Sequence, residues 1–171
     1  MEDLSNTVKV TERNESMGFC GKSRGIMSFD YPQAIRFKCL KCGMCCGNTP
    51  VKTRHVVLLK TEVEKISEIT KSPISEFAVE IMGKDPYSYE MAKTSGEGAC
   101  VFLKDDKCAI YALRPMVCRF YPFELKAMTL VKHKFVVTDE CPGVGKGKKL
   151  TIDYYRELVH LANCRLKKEQ E

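Results

Sequence analysis

C-L-K-C-G-M-C-C, residues 39–46, sets four cysteines in eight positions, the last two adjacent. Packing gives no reason to cluster thiols in this way, whereas a metal does. Four sulfurs on one short loop can converge on a common point. Cys42 is followed by Gly43, and glycine permits the left-handed backbone with which such a loop curls back and aims N–H groups at the sulfurs. The stretch reads as the start of a cysteine-ligated metal or iron–sulfur site, and the remaining sequence is weighed against it.

The chain has 171 residues, enough for one domain that buries roughly 70% of its unfolded surface. An ordinary hydrophobic core is within reach, so metal is not an obvious requirement for folding. Ten cysteines in this length is well above normal usage. In a secreted chain an even count would point to disulfides. Residues 1–16, however, are polar and charged and hold no apolar signal core. The longest uninterrupted apolar run is six residues, 108–113, too short to span a membrane. A cytoplasmic, reducing setting is therefore expected, in which thiols are ligands rather than bridges. The formal charge of +6 counts every cysteine as neutral. Eight thiolates around two Zn²⁺ ions, or around two [4Fe–4S]²⁺ clusters, would lower that sum by four, to +2. Much of the basicity thus reads as compensation for sulfur charge and is weak evidence for nucleic acid binding.

Residues 1–30 are expected to form a polar, extended arm, and residues 31–171 a cysteine-cluster domain ending in an amphipathic helix. A-I-R-F-K at 34–38 alternates like a short strand feeding the cysteine loop. Thr61-Glu62-Val63-Glu64 fits a capping box that opens a helix reaching about residue 70. Ser72-Pro73 restarts the chain, with a second helix expected over 76–82. Residues 87–93 and 99–103 read as strands, and Lys104-Asp105-Asp106-Lys107 as a tight acidic turn between Cys100 and Cys108. Residues 123–127 and 131–138 resemble a hairpin. Ile152, Tyr155, Leu158, Val159, Ala162 and Leu166 form the apolar stripe of a helix over 152–168. The fold class that follows is α+β, with short strands, several helices and irregular cysteine-bearing loops.

Beyond the first cluster stand Cys100, Cys108, Cys118 and Cys141. With Cys39, Cys42, Cys45 and Cys46 they make eight, enough for two four-thiolate sites. Zinc closes a tetrahedral shell with four cysteines, and a [4Fe–4S] cluster takes four as well. Cys39, Cys42 and Cys45 match the first three positions of the bacterial ferredoxin run, and Cys141-Pro142 matches its cysteine-proline end. Cys46 departs from that pattern, following Cys45 directly rather than four positions on. Adjacent cysteines usually point apart, so Cys45 and Cys46 are read as the junction of two sites or of one larger cluster. One grouping sets Cys39, Cys42 and Cys45 with Cys141, and Cys46 with Cys100, Cys108 and Cys118. Buried free thiols and disulfides are the plain alternatives.

Five ordered elements give the chain a family resemblance. They are residues 39–46, the helix start near 59–64, G-A-C-V-F-L at 98–103, C-A-I-Y-A-L-R-P-M-V-C-R-F-Y-P at 108–122 and C-P-G-V-G-K-G at 141–147. Over 37–148 the sequence resembles the YkgJ-type cysteine-cluster proteins, the C-x-x-C-x-x-C-C zinc- or iron-chelating domain. The resemblance implies that the eight cysteines are the ligands and leaves zinc and iron open. Lys60 departs from the threonine that the family often carries directly after leucine.

The residues between the cysteines fit such a site. Pro115 can open a short helix that places Cys118 in its first turn, where free N–H groups favour a thiolate. Arg114 and Arg119 can offset sulfur charge, with surface salt bridging as the plain reading. Tyr111, Phe120 and Tyr121 read as hydrophobic shielding. The stretch G-V-G-K-G-K-K at 143–149 lacks the order of a P-loop and reads as a flexible basic loop open to an acidic partner or anionic substrate. Cys20 and Cys164 read as free thiols, although Cys164 follows His160 by four residues and shares its helix face. His55 and His133 stand alone and are assigned no role.

Three functions are compared. The first is a protein centred on an iron–sulfur cluster or zinc, with an accessory, electron-transfer or cluster-handling role and a protein partner of unknown identity. The second is a protein-modifying enzyme, because flagellin lysine methylases carry a similar cysteine cluster; no S-adenosylmethionine pocket, Ser/His/Asp set or paired carboxylates stand out here. The third is a zinc-stabilised interaction module binding nucleic acid through Lys146, Lys148 and Lys149, which lacks the interleaved aromatics of base stacking. All-thiolate ligation suits zinc and iron–sulfur sites alike. The ferredoxin-like start, the cysteine-proline end and the apolar flanks favour a [4Fe–4S] cluster over zinc.

Overall fold

In the computed structural model, which describes residues 7–11, 28–49, 52–95, 98–130 and 132–170, apolar alternation becomes short strands and the longest apolar stripe becomes a C-terminal helix. The strands are β1 (Thr7–Thr11), β2 (Ser28–Pro32), β3 (Arg36–Phe37), β4 (Val57–Leu58), β5 (Ala78–Glu80) and β6 (Tyr89–Met91). They continue with β7 (Leu103–Lys104), β8 (Lys107–Cys108), β9 (Phe123–Ala127), β10 (Lys132–Val137) and β11 (Val144–Lys149). The helices are α1 (Lys60–Thr70), α2 (Ile74–Phe77), α3 (Met116–Phe120) and α4 (Ile152–Gln170), with 3₁₀ turns at Met44–Cys46 and Tyr111–Leu113. This mixture is the expected α+β class. The chain divides into two compact units, one of Met1–Leu40 with Phe120–Lys167 and one of Lys41–Arg119 with Lys168–Glu171.

The first unit is built on a four-stranded sheet in the order β1-β2-β10-β9. The hairpin expected at 123–138 is present as the antiparallel pair β9–β10, from Phe123↔Val137 to Ala127↔His133. Within the 1–30 arm, β1 pairs antiparallel with β2; the arm's residues 1–6 and 12–27 lie outside the described ones. Alternation sends Phe29 and Phe135 to one face, where they meet edge-on at 5.5 Å. Tyr155 from the stripe of α4 packs at 5.0 Å from Phe135 and 5.4 Å from Phe123. Offset and edge-on ring pairs of this kind add about 1 kcal/mol each beyond burial. Leu158, Val159 and Ala162 of the same stripe are buried too.

A second, two-stranded ribbon in this unit joins β3 to β11. The strand expected over 34–38 shrinks to Arg36–Phe37, because Ala34 takes a left-handed turn conformation at φ 64°. The expected basic loop at 143–149 is corrected to a strand. Its register jumps from Val144↔Phe37 to Lys149↔Arg36, so residues 145–148 stand out as a bulge. Gly143 and Gly147 are required there: a Cβ would lie 2.5 Å from the Lys38 carbonyl oxygen and 2.7 Å from the Lys38 Cβ.

The second unit holds the sheet β4-β6-β5 and the hairpin β7–β8 around Leu58, Val63, Ile66, Phe77, Ala78, Met91, Cys100 and Ile110. The acidic turn is as expected, with Asp105 and Asp106 both at positive φ (46° and 57°) to close the β7–β8 hairpin. Helix α1 covers the expected span but is capped two residues earlier. Leu59, not Thr61, is the N-cap, and the buried Glu62 carboxylate accepts from its N–H at 3.3 Å. The helix expected over 76–82 is replaced by α2 followed by β5. Ala78 turns extended at φ −144°, because pairing with Met91 of β6 outweighs the weak helical pattern. The strand expected over 99–103 contracts to a bridge at Cys100 and the two residues of β7.

Glu62 does more than cap α1. Its second oxygen accepts from the Met116 N–H at 2.7 Å, at the first residue of α3. Glu62→Ala leaves two buried N–H groups unpaired and is expected to destabilise the metal-free protein by about 3 kcal/mol. Glu62→Gln, which retains one acceptor oxygen, is expected to cost about half of that. Urea unfolding of both variants checks this, and equal losses for the two would contradict the shared role.

Candidate metal centre

The cysteine loop takes its shape from two left-handed residues, Lys41 at φ 55° and Gly43 at φ 71°. Gly43 is the knuckle that the sequence implies, and no other residue fits it. A Cβ there would sit 2.7 Å from Leu103 Cδ1 and 2.9 Å from the Asp106 carbonyl oxygen. The loop then closes into the 3₁₀ turn Met44–Cys46, with the Cys46 N–H donating to the Gly43 carbonyl at 2.7 Å. Next, the Cys100 N–H donates to the Cys46 carbonyl at 2.6 Å. That bond ties the loop to the segment whose β7–β8 hairpin carries Cys108.

Five thiols of the second unit interact. Cys45 and Cys46 stand 3.9 Å apart, sulfur to sulfur. Hydrogen bonding of Cys46 with Cys108 and Cys45 pushes the ionisation of Cys46 up and draws the other two down. Cys108 falls to about 6, chiefly through that hydrogen bond, with help from Arg114. Cys45 falls to about 7 for the same leading reason. Cys100 is pushed up, mainly by burial. Burial also raises Cys118, the third residue of α3, and the charges of Cys45, Cys100 and Cys108 raise it further. Cys46 and Cys108 pack against the hydrophobic cluster that contains Cys100.

Arg114 is held in place from two sides. Its guanidinium lies 3.9 Å from the centre of the Tyr111 ring, and its Nε donates to the Tyr111 carbonyl at 3.1 Å. Lys41 Nζ lies 4.8 Å from the centre of the same ring. Tyr111 is therefore a seat for cations as well as a shield. Arg119 donates to the carbonyls of Arg114 at 2.9 Å and Ala112 at 2.7 Å, so it braces the turn that presents Arg114. Pro115 is buried directly before α3, one position outside the helix it was expected to open.

The remaining expected ligands fall into separate surroundings. Cys42 is exposed on the loop of the second unit. Cys39 and Cys141 belong to the first unit. There the Lys38 N–H donates to the Gly143 carbonyl at 3.1 Å, which brings the two cysteines to the same end of the β3–β11 ribbon. Cys164 Sγ lies 3.6 Å from His160 Nε2 on α4, confirming their shared helix face. Cys20 lies outside the described residues. His55 is not solitary, since its Nδ1 pairs with Glu90 at 2.6 Å. Sequence reasoning set the capping box on Thr61 and Glu64, and so missed Glu62 both as the capping acid and in its reach to α3. It also missed Lys41, whose left-handed backbone carries no signal in the residue type.

A thiophilic cation suits this donor set. Burial and mutual repulsion keep Cys46, Cys100 and Cys118 protonated, and only a positive ion would allow the whole group to ionise. Among the described residues, no three His, Cys, Asp or Glu side chains stand in an arrangement that would grip one metal ion as they are. The thiols are gathered but not closed. None of the described helices is long and apolar enough to cross a membrane.

Comparison with known proteins follows the same eight cysteines. Residues 38–142 match the CxxCxxCC family model, described as "Putative zinc- or iron-chelating domain". The matched segment contains Cys39 through Cys141 and leaves out Cys20 and Cys164. An uncharacterized protein of Methanocaldococcus jannaschii is 33% identical over 104 residues, covering 58% of this chain and 52% of that protein. The chain thus spans about half the length of this curated relative. No solved structure matches the chain. With more than half of its length inside the family model, the chain belongs to the CxxCxxCC family.

Proposed function

We propose that this chain is a cytoplasmic metal protein whose cysteine thiolates hold iron–sulfur chemistry, in an accessory, electron-transfer or cluster-handling role. Its family supports the coarser statement, a metal-binding role with zinc or iron. One observation carries the finer reading: five thiols interact, and three of them, Cys46, Cys100 and Cys108, lie in or against a hydrophobic core. Cysteine sulfur is the usual ligand of iron–sulfur clusters, and low polarity around the sulfurs tunes their potential. Cys39, Cys42, Cys45, Cys46, Cys100, Cys108, Cys118 and Cys141 serve as the ligands.

The bound group would supply one-electron chemistry; the chain supplies its setting. Gly43 turns the loop so that Cys45 and Cys46 face Cys108. Glu62 fixes the start of α3 and with it Cys118. Arg114, pinned on Tyr111, places a positive charge near Cys45 and Cys108. The apolar side chains around Cys100 keep it buried, and Cys46 and Cys108 pack against them.

Anaerobic purification, followed by a visible spectrum and assay of iron, sulfide and zinc per chain, tests the reading. Broad visible absorption with iron and sulfide is expected. A colourless protein holding about two zinc ions would overturn iron–sulfur in favour of a structural zinc module, and a metal-free folded protein would overturn both. In the loaded protein, Cys42→Ser and Cys118→Ser should each cost about 3 kcal/mol, a fall in Tm of roughly 10 °C. Cys164→Ser and Cys20→Ser should leave Tm nearly unchanged, and equal shifts for all four variants would contradict the ligand assignment. In metal-free, reduced protein, alkylation should reach Cys108 at lower pH than Cys46. Its midpoint, about 6 in the native chain, should rise in Arg114→Gln, because the thiolate loses a neighbouring cation. An unchanged midpoint would remove Arg114 from the site.

A further inference from the structure

The β3–β11 ribbon carries Arg36, Lys38, Lys146, Lys148 and Lys149, all exposed. Among the described residues none of these five pairs with a carboxylate, and residues 34–38 and 143–151 contain no Asp or Glu. Exposed cations elsewhere stand more dispersed along the chain, and two of them, Lys84 and Lys126, pair with Glu90 and Glu124. The ribbon's shape is also fixed. Arg36 Nη1 donates to the Gly147 carbonyl at 3.0 Å, and Gly145 and Gly147 adopt φ 81° and 74° to raise the bulge that carries Lys146 and Lys148. Gly143 and Gly147 lie too close to Lys38 for any side chain.

We propose that this ribbon is the docking surface for an acidic face of a protein partner, and that it directs the partner to the end where Cys39 and Cys141 lie. The naming of those two cysteines as the destination rests on the metal-binding reading above. The cations come from both sides of the ribbon and from its bulge, a set of positions that an extended acidic surface can meet together. Phe37, the ribbon's one ring, packs edge-on against Phe123 at 5.9 Å and is not free to stack on a base. Like charges arrayed in this way raise the rate of encounter with an oppositely charged partner, and salt screens them within about 10 Å at 0.1 M.

Poly-L-glutamate serves as the acidic probe, titrated at low and moderate salt against the full chain, with metal content assayed in the same preparation. Binding is expected to weaken with salt, to perturb the amide signals of residues 36–38 and 144–149, and to fall about tenfold in Lys146→Glu/Lys149→Glu. The control Lys65→Glu/Lys71→Glu reverses as many charges in the other unit and should change affinity by less than about twofold. An equal loss in the control would overturn the proposal by showing only bulk charge. Tighter binding of polyuridine RNA than of the peptide would replace it with a nucleic-acid surface. Displacement of the peptide by equimolar inorganic phosphate would replace it with a small-anion site. Metal-free protein that still shows the ribbon-specific loss would sink the metal reading and leave the docking surface standing.

Discussion

One buried carboxylate decides how the second unit is held. Glu62 is 2% exposed, and its two oxygens accept from N–H groups at the starts of two helices, Leu59 beside it and Met116, 54 residues further on. Unpaired N–H groups at a helix start are costly when water cannot reach them. A single side chain that serves both starts also fixes the helices relative to each other. From Met116 the consequences run outward. The next turn carries Cys118, and Arg119 reaches back to the carbonyls of Ala112 and Arg114. Arg114 is thereby presented to Tyr111 and to the field of Cys45 and Cys108. Without the carboxylate, both the fifth thiol and the neighbouring cation lose their anchorage.

The thiols impose a second constraint. Burying one sulfur as a neutral thiol costs little, but burying several that must ionise to bind metal is expensive until the metal arrives. The second unit manages the intermediate state through proton sharing. Hydrogen bonding with Cys46 favours charge on Cys45 and Cys108 and disfavours it on Cys46 itself. Cys100 and Cys118 stay neutral through burial. Charge is thus favoured on two of the sulfurs and disfavoured on three, and a nearby cation would shift all five toward the thiolate.

How much of this was legible depended on whether a signal was local. Gly43 was readable because a knuckle after Cys42 needs a left-handed residue, and the acidic 104–107 turn was readable because the two-residue connection needs two. The long stripe of α4 and the β9–β10 hairpin were periodic enough to survive packing. The helix expected at 76–82 failed because its fate rests on a strand pairing with residues 89–91, which no local pattern reveals. The basic stretch at 143–149 failed in the same way: its glycines looked like loop residues, but they are small because Lys38 crosses close beside them. Glu62 was overlooked in both roles, because Thr61 and Glu64 offered a better local capping pattern than Leu59 and its second partner lies far along the chain. The ligand types were evident from the cysteine spacing, whereas their company was not.

The positive charge of the chain separates into two kinds by position. A cation stabilises a thiolate in proportion to its nearness and to the exclusion of water between them. Arg114 meets both conditions: it is half-buried, seated on a ring and tied by its Nε, so its charge bears on Cys45 and Cys108. The ribbon cations fail the second condition: they are exposed, and charges in water are screened beyond about 8 Å at physiological salt, so even Lys38 bears weakly on its neighbour Cys39. Compensation of buried sulfur charge therefore accounts for Arg114 and not for Arg36, Lys38, Lys146, Lys148 and Lys149. Cations held apart from carboxylates on a rigid backbone repel one another, and a fold keeps such an arrangement at a small cost in stability. An acidic surface laid over them, as proposed for the ribbon, would offset that cost.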